Sequence, residues 1–389
     1  MSALTQLAAE QMFDGHRLHG AVLLQIGPDG NLLGLEHKNA PPQSEPTTLT
    51  PTFFDIHTHG ALGHDVMSAV PADLAAMQRF LATHGVGAYL PTTVTAEIDL
   101  TFAALERLAN LIERGCQPGE AEPVGIHLEG PFLSHHKRGV HPPEHLQPPS
   151  IALFDGLQQA ARGHIVLLTL APELPGATDL IQHAANQGVR VSLGHTNATA
   201  AETLAALETG ATSATHTFNA MRPLDHREPG VLGTVLDDDR LFAELICDGI
   251  HVAPPLVRLW LKAKGAERTI LVTDAMAAAG GGDGLYHLGG LPVTVRDGRA
   301  LLSEDLAAGR ETLAGSVLTM DRAVRNFQQF TGVGLLTAIR AASTNPARLL
   351  GRLDLATVTP GQPANLNRFN ASGRLLETYL RGVRIPAHS

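Results

Sequence analysis

A chain of 389 residues, 44% hydrophobic and near zero in mean hydropathy, is long enough for one large domain with an annex or for two domains. Its formal charge of -10 and pI near 6.0 exclude a basic surface for nucleic acid or anionic lipid, so a small anionic ligand would need cations placed locally. Cys116 and Cys247 cannot build a disulfide framework or a zinc finger, the first residues lack a basic stretch before an apolar core, and no segment approaches a membrane span, which together predict a soluble cytoplasmic protein with no membrane partner.

Residues 12–38 hold two β-like runs around the turn signal Gly27-Pro28-Asp29-Gly30, and a Pro-rich link follows at 40–51. From Phe53 onward, short apolar runs alternate with segments of helical period. The expected strands are 53–57, 87–93, 124–129, 164–173, 189–195, 211–218, 241–249 and 269–275; the intervening helices often end at Gly. Residues 280–312 read as a glycine-rich β-hairpin that could act as a lid, and 365–386 as another hairpin. Eight strands, mostly followed by helices, predict an α/β (β/α)8 TIM-type barrel over 51–356. The segments 1–50 and 357–389 are expected to join as a small β-sandwich domain.

Polar residues that sit oddly in this pattern fall at strand C-termini: His57 and His59 on the first, Glu129 on the third, His195 on the fifth, His216 on the sixth and Asp274 on the eighth. That rim is where barrels of this class build their sites. Any one histidine there is more often structural than a ligand; six such residues on one rim favour a divalent metal bound by imidazole and carboxylate. Asp274 would either bind the ion or take a proton from water that the ion acidifies. Within FFDIHTHG, residues i and i+2 share a strand face, so His57 and His59 form either a ligand pair or a structural pair.

The segments DIHTHGALGHDVM (55–67), GIHLEGPFLSHHKRGVHPP (125–143), VSLGHTNATA (191–200), GATSATHTFNAMRPLDHREPG (210–230), CDGIHVAP (247–254), LVTDAMAAAG (271–280) and LAGSVLTM (313–320) resemble the amidohydrolase superfamily, and within it the N-acetylglucosamine-6-phosphate deacetylase family. The resemblance implies one metal on Glu129, His195 and His216, with Asp274 as catalytic acid/base, and a second position at His57 and His59. The ion would be zinc, with iron the alternative, at one or two per subunit. It implies that His141 contacts the acetyl carbonyl, that Val140, Asn219, Ala220, Asp248, His251, Leu313, Ala314 and Gly315 contact the amino-sugar phosphate, and that Arg227 reaches the phosphate across a homodimer interface. A cyclic-amide hydrolase of the dihydroorotase type and a non-catalytic sugar-phosphate-binding protein are the alternatives; Glu129 in place of a strand-end Lys speaks against the first, and the complete ligand set against the second.

Overall fold

The protein is described by a computed structural model covering residues 5–37 and 46–388. Its centre is a ring of parallel strands: β1 Phe53–Thr58, β2 Val86–Thr93, β3 Ile126–Glu129, β4 Ile165–Leu170, β5 Arg190–Leu193, β6 Ala211–Ala214, β7 Phe242–Ile246 and β8 Thr269–Val272. Each pairs with the next in chain order. Between β8 and β1 the ladder gives way to single contacts. Thr58 bridges to Ala275, the Asp274 N–H donates to the His57 carbonyl at 2.9 Å, and the Thr273 hydroxyl donates to the Asp55 carboxylate at 2.5 Å. The expected (β/α)8 barrel is therefore present and nearly closed.

These strands are apolar on both faces because helices cover the outside and side chains fill the inside. Phe54, Ile56, Leu167, Leu168, Leu245 and Leu271 are all fully buried. The helices Ile98–Arg114 and Ala200–Thr209 follow from local signals. The first repeats apolar residues at three- and four-residue steps, burying Ala104, Leu105, Leu108 and Leu111, and stops at Gly115. The second opens with a capping box in which the Thr199 hydroxyl and the Glu202 carboxylate satisfy each other's backbone N–H.

The chain termini meet as expected. A six-stranded sheet runs in the order 383–386, 375–380, 366–370, 47–51, 11–13, 18–19, and a three-stranded sheet in the order 5–9, 22–26, 32–37. Leu7, Val22, Leu24, Leu49, Leu366 and Tyr379 form the apolar layer of this sandwich. Two details differ from the sequence reading. Part of the Pro-rich link lies outside the described residues, and its remainder, Thr47–Pro51, is a strand paired with Leu366–Asn370. The C-terminal hairpin is in fact a three-stranded meander, extended by Val383–Pro386.

Residues 280–312 also carry one strand more than a hairpin: Gly284–Leu288, Leu291–Arg296 and Arg299–Leu302 form an antiparallel sheet, followed by the short helix Ser303–Ala307. The third strand is set by Asp297 and Gly298, with φ of 53° and 71°, the pair of left-handed residues that a two-residue hairpin turn requires. Its edge continues into the 312–314 segment through Leu302 N–H to Thr312 O and Ala314 N–H to Ala300 O. This small sheet therefore carries one wall of the site at the barrel rim.

Candidate active site

Glu129 closes β3, as expected. His195, His216 and Asp274 stand two residues beyond β5, β6 and β8, whose last residues are Leu193, Ala214 and Val272. There the backbone turns through φ of 47°, 27° and 47°, values that cost a non-glycine residue about 1–3 kcal/mol. Specific contacts hold each turn. The His195 carbonyl accepts from Ser134 N–H at 3.0 Å, the His216 N–H donates to Glu244 Oε2 at 3.1 Å, and Asp274 bonds through its N–H to His57 and through its carbonyl to Ser316 N–H. The turns swing the three side chains inward over the barrel axis.

There they meet Glu129. Its Oε1 lies 3.2 Å from both His195 Nε2 and His216 Nε2, and those two nitrogens are 3.0 Å apart. On the other side His57 Nε2 and His59 Nε2 are 3.2 Å apart, with His57 3.5 Å from Glu129 Oε1 and His59 3.3 Å from Oε2. Asp274 Oδ1 stands 3.2 Å from His59 Nε2 and 3.6 Å from His57 Nε2. All six side chains are buried.

Hydrogen bonds behind the rings fix what the inner nitrogens offer. His57 Nδ1 faces Glu244 Oε2 at 3.1 Å, His59 Nδ1 the Thr92 carbonyl at 3.1 Å, and His195 Nδ1 the Lys137 carbonyl at 3.1 Å. Each of these Nδ1 atoms can only donate, so in the neutral rings each Nε2 presents a lone pair to the centre. The His57 and His59 lone pairs, 3.2 Å apart, repel one another unless a cation or a proton lies between them. Ligands of a tetrahedral ion bonded at about 2.0–2.1 Å stand roughly 3.3 Å apart, and Glu129, His195 and His216 match that spacing. The residues present fit a divalent metal, with Glu129 between two positions.

His141 differs. Its Nδ1 accepts the Thr95 N–H at 3.2 Å, which puts the ring proton on Nε2. Burial, reinforced by His195, pushes its pKa well below 6.5 and keeps it neutral. Although it packs close to Glu129 and His195, it faces the centre as a hydrogen-bond donor and not as a ligand. Gly139, two residues earlier, has φ of 59° and a Cβ there would lie 3.1 Å from His195 Cε1, so any side chain would strain the turn and press on the ring.

Charge in the cluster is shared between protons and ion. Burial opposes ionisation of Glu129 and Asp274, but the His57 charge and the surrounding imidazole contacts hold both carboxyls far below their usual range. Conversely, burial lowers the His57 and His59 pKa values, yet Glu129 and Asp274 together overcome it, raising His57 well above 6.5 and His59 to about 9. Without an ion, the two carboxylates draw protons onto this pair of imidazoles. Zn²⁺ loading at pH 7 is therefore expected to release protons, and the release should shrink as pH rises past about 9. Calorimetry in buffers of different ionisation enthalpy measures it; an enthalpy independent of buffer would contradict the assignment.

A cavity of ≈ 270 Å³ opens beside the cluster. The expected residues Val140, His141, Asn219, Ala220, His251, Leu313 and Gly315 line it together with His59, Glu129, His195, His216 and Asp274. His57 lies behind the cavity, fully buried, and Ala314 is buried next to its wall. Asp248 also stands behind, where its Oδ2 accepts from His251 Nδ1 at 2.7 Å and orients that ring. Arg227 does not line the cavity; it is exposed on the loop after Met221, where Asp225 caps its N–H. Val94, Leu288, Glu311 and Thr312 line the cavity without having been expected. Leu288, Glu311 and Thr312 arrive on the small sheet and its edge, which the sequence reading left as a hairpin.

The amidohydrolase family model matches residues 48–384. The chain is 41% identical over 336 residues to N-acetylgalactosamine-6-phosphate deacetylase of Escherichia coli, spanning 86% of each protein. To N-acetylglucosamine-6-phosphate deacetylase of Bacillus subtilis it is 40% identical over 339 residues, 86% of this chain and 84% of that one. Among solved structures, a mutant N-acetylglucosamine-6-phosphate deacetylase of Mycobacterium smegmatis in complex with N-acetylglucosamine 6-phosphate superposes with a TM-score of 0.90 at 34% identity, over 98% of this chain and 99% of that chain. The Thermotoga maritima deacetylase superposes with a TM-score of 0.87 at 31% identity, over 98% and 100%.

Proposed function

Because the chain belongs to the amidohydrolase family, and within it to the N-acetylglucosamine-6-phosphate deacetylases, we propose that it hydrolyses the N-acetyl group of N-acetylglucosamine 6-phosphate to glucosamine 6-phosphate and acetate. The observation that carries this reading is the convergence of Glu129, His195 and His216 at 3.0–3.2 Å beside an ionised Asp274 and a donor His141. Zn²⁺ is the ion we assign to Glu129, His195 and His216, with Fe²⁺ the alternative and a second ion at His57, His59, Glu129 and Asp274. Such an ion supplies Lewis-acid polarisation of the amide carbonyl and acidifies water.

The protein's own groups do the rest. Asp274, held anionic and open to the cavity, accepts a proton as water attacks the carbonyl carbon and then delivers it to the departing amine, which is too basic to leave unprotonated. His141 donates its Nε2 hydrogen to the carbonyl oxygen, where negative charge develops as the tetrahedral intermediate forms. Val140, Asn219, Ala220, His251, Leu313 and Gly315 line the sugar's path, with Asp248 orienting His251.

Arg227 we assign to the substrate phosphate of a neighbouring subunit in a homodimer. Its exposure, away from its own cavity, suits a residue that works across an interface, and its guanidinium suits a phosphate. Arg227→Ala is expected to raise KM for N-acetylglucosamine 6-phosphate by roughly 10–100-fold, as loss of a charge-assisted contact implies, while N-acetylglucosamine turnover stays as in the wild type. Steady-state kinetics on both substrates decide; equal losses would remove the phosphate role. A second substrate, N-acetylgalactosamine 6-phosphate, is favoured by the E. coli relative's 41% identity, and kcat/KM measured on the two sugars in parallel ranks them.

A further inference from the structure

Glu244 is an acidic residue inside the apolar strand β7, fully buried on the barrel interior. An acid enters such a place at high cost unless hydrogen bonds offset it, and its Oε1 has no partner among the described residues, which leaves the work to the other oxygen. Its Oε2 accepts twice: from His57 Nδ1 at 3.1 Å and from the His216 backbone N–H at 3.1 Å. Glu244 therefore touches one residue from each side of Glu129, His57 from the HxH pair and His216 from the other group. The main chain repeats the link, because Thr217 N–H donates to the Glu244 carbonyl at 2.9 Å.

The backing of the imidazoles is unequal. His59 and His195 have main-chain carbonyls behind Nδ1, and His216 Nδ1 has no hydrogen-bond partner among the described residues; His57, of these four, has a carboxylate. A carboxylate behind a ligating imidazole fixes its tautomer and makes its other nitrogen a better donor to a cation, and removing such a partner commonly weakens metal binding about 10–100-fold. The second contact acts on geometry. His216 sits at φ 27°, and the Glu244 acceptor satisfies the N–H that this turn leaves inside the barrel.

We propose that Glu244 is a positioning residue for the metal centre: it sets the donor strength of His57 and the backbone turn of His216, and so controls how tightly the ion on His57 is held. This rests on the metal reading given above. It contacts neither cavity nor substrate path, so its effect reaches the reaction only through the two histidines.

The test is titration of metal-free protein with Co²⁺, followed by its visible d–d absorption and by competition with a chelator, for the wild type, Glu244→Gln and Glu244→Asp. Gln keeps the shape and one acceptor oxygen but removes the charge; Asp keeps the charge and draws it back by one methylene. Expected for Glu244→Gln is a 10–100-fold weaker affinity for the Co²⁺ held by His57 with an altered absorption band, and for Glu244→Asp a smaller loss of the same kind. If either folded variant binds Co²⁺ with wild-type affinity and spectrum, the role is overturned, even where its melting temperature has dropped. A wild type that takes up no Co²⁺ contradicts instead the metal reading on which the role rests.

Discussion

Asp274→Asn is expected to lower turnover of N-acetylglucosamine 6-phosphate by on the order of 10²–10⁴-fold, the range for loss of a general acid–base, with the ion on Glu129, His195 and His216 retained. The carboxylate opens to the cavity and is held anionic, against burial, by His57 and His59. An amide of the same shape cannot take the proton of attacking water or return one to the amine. The exchange leaves the backbone alone, because asparagine tolerates the left-handed φ of 47° that Asp274 occupies. Glu129, His195 and His216 are untouched, so the ion they hold stays. Turnover and elemental analysis of the same preparation check both halves; wild-type turnover at full metal content would remove Asp274 from the chemistry.

Glu129→Gln is expected to strip the protein of metal at both positions and to abolish activity. Among the described residues no other carboxylate stands where Glu129 does, with Oε1 3.2 Å from His195 and His216 Nε2 and 3.5 Å from His57, and Oε2 3.3 Å from His59. Gln replaces one anionic oxygen by an NH₂ group, a donor that faces the space where a cation must sit. Elemental analysis after dialysis should find metal at about a tenth of the wild-type content or less, as loss of a direct ligand implies. Glu129→Gln that retains a full complement of metal would mean that the ion is held elsewhere.

The barrel was legible because its strands are short, apolar on both faces and spaced by helices with clear ends, and β1 to β8 fall on the eight expected runs. The metal-type residues were legible as well, since a His or Asp just after an apolar run stands out. Periodicity could not see that β5, β6 and β8 stop two residues short of His195, His216 and Asp274, because a left-handed φ at a non-glycine residue is imposed by tertiary contacts and leaves no mark in residue type. Leu288, Glu311 and Thr312 were missed for a different reason. Leu288 ends the first strand of the small sheet, while Glu311 and Thr312 reach the cavity along a third strand whose Asp297-Gly298 turn is present in the sequence.

Glu244 carried the one signal available for a buried support, a charge inside the apolar run LFAELI. Sequence alone gives no reason to prefer His57 and His216 as its partners, because they lie 187 and 28 residues away and meet it only once the barrel closes. The tautomer of His141 is equally a product of folding. It depends on the Thr95 N–H, 46 residues distant, and it separates a donor from the ligands around it.

The most direct test of this account is acetate release. Purified protein stripped with a chelator and restored with Zn²⁺ or Fe²⁺ is given N-acetylglucosamine 6-phosphate, and acetate and free amine are followed together. Both are expected to appear in equal amounts, vanish on chelation and return with a single added metal. Metal-loaded protein that releases neither, or stripped protein that releases both at the full rate, would contradict it.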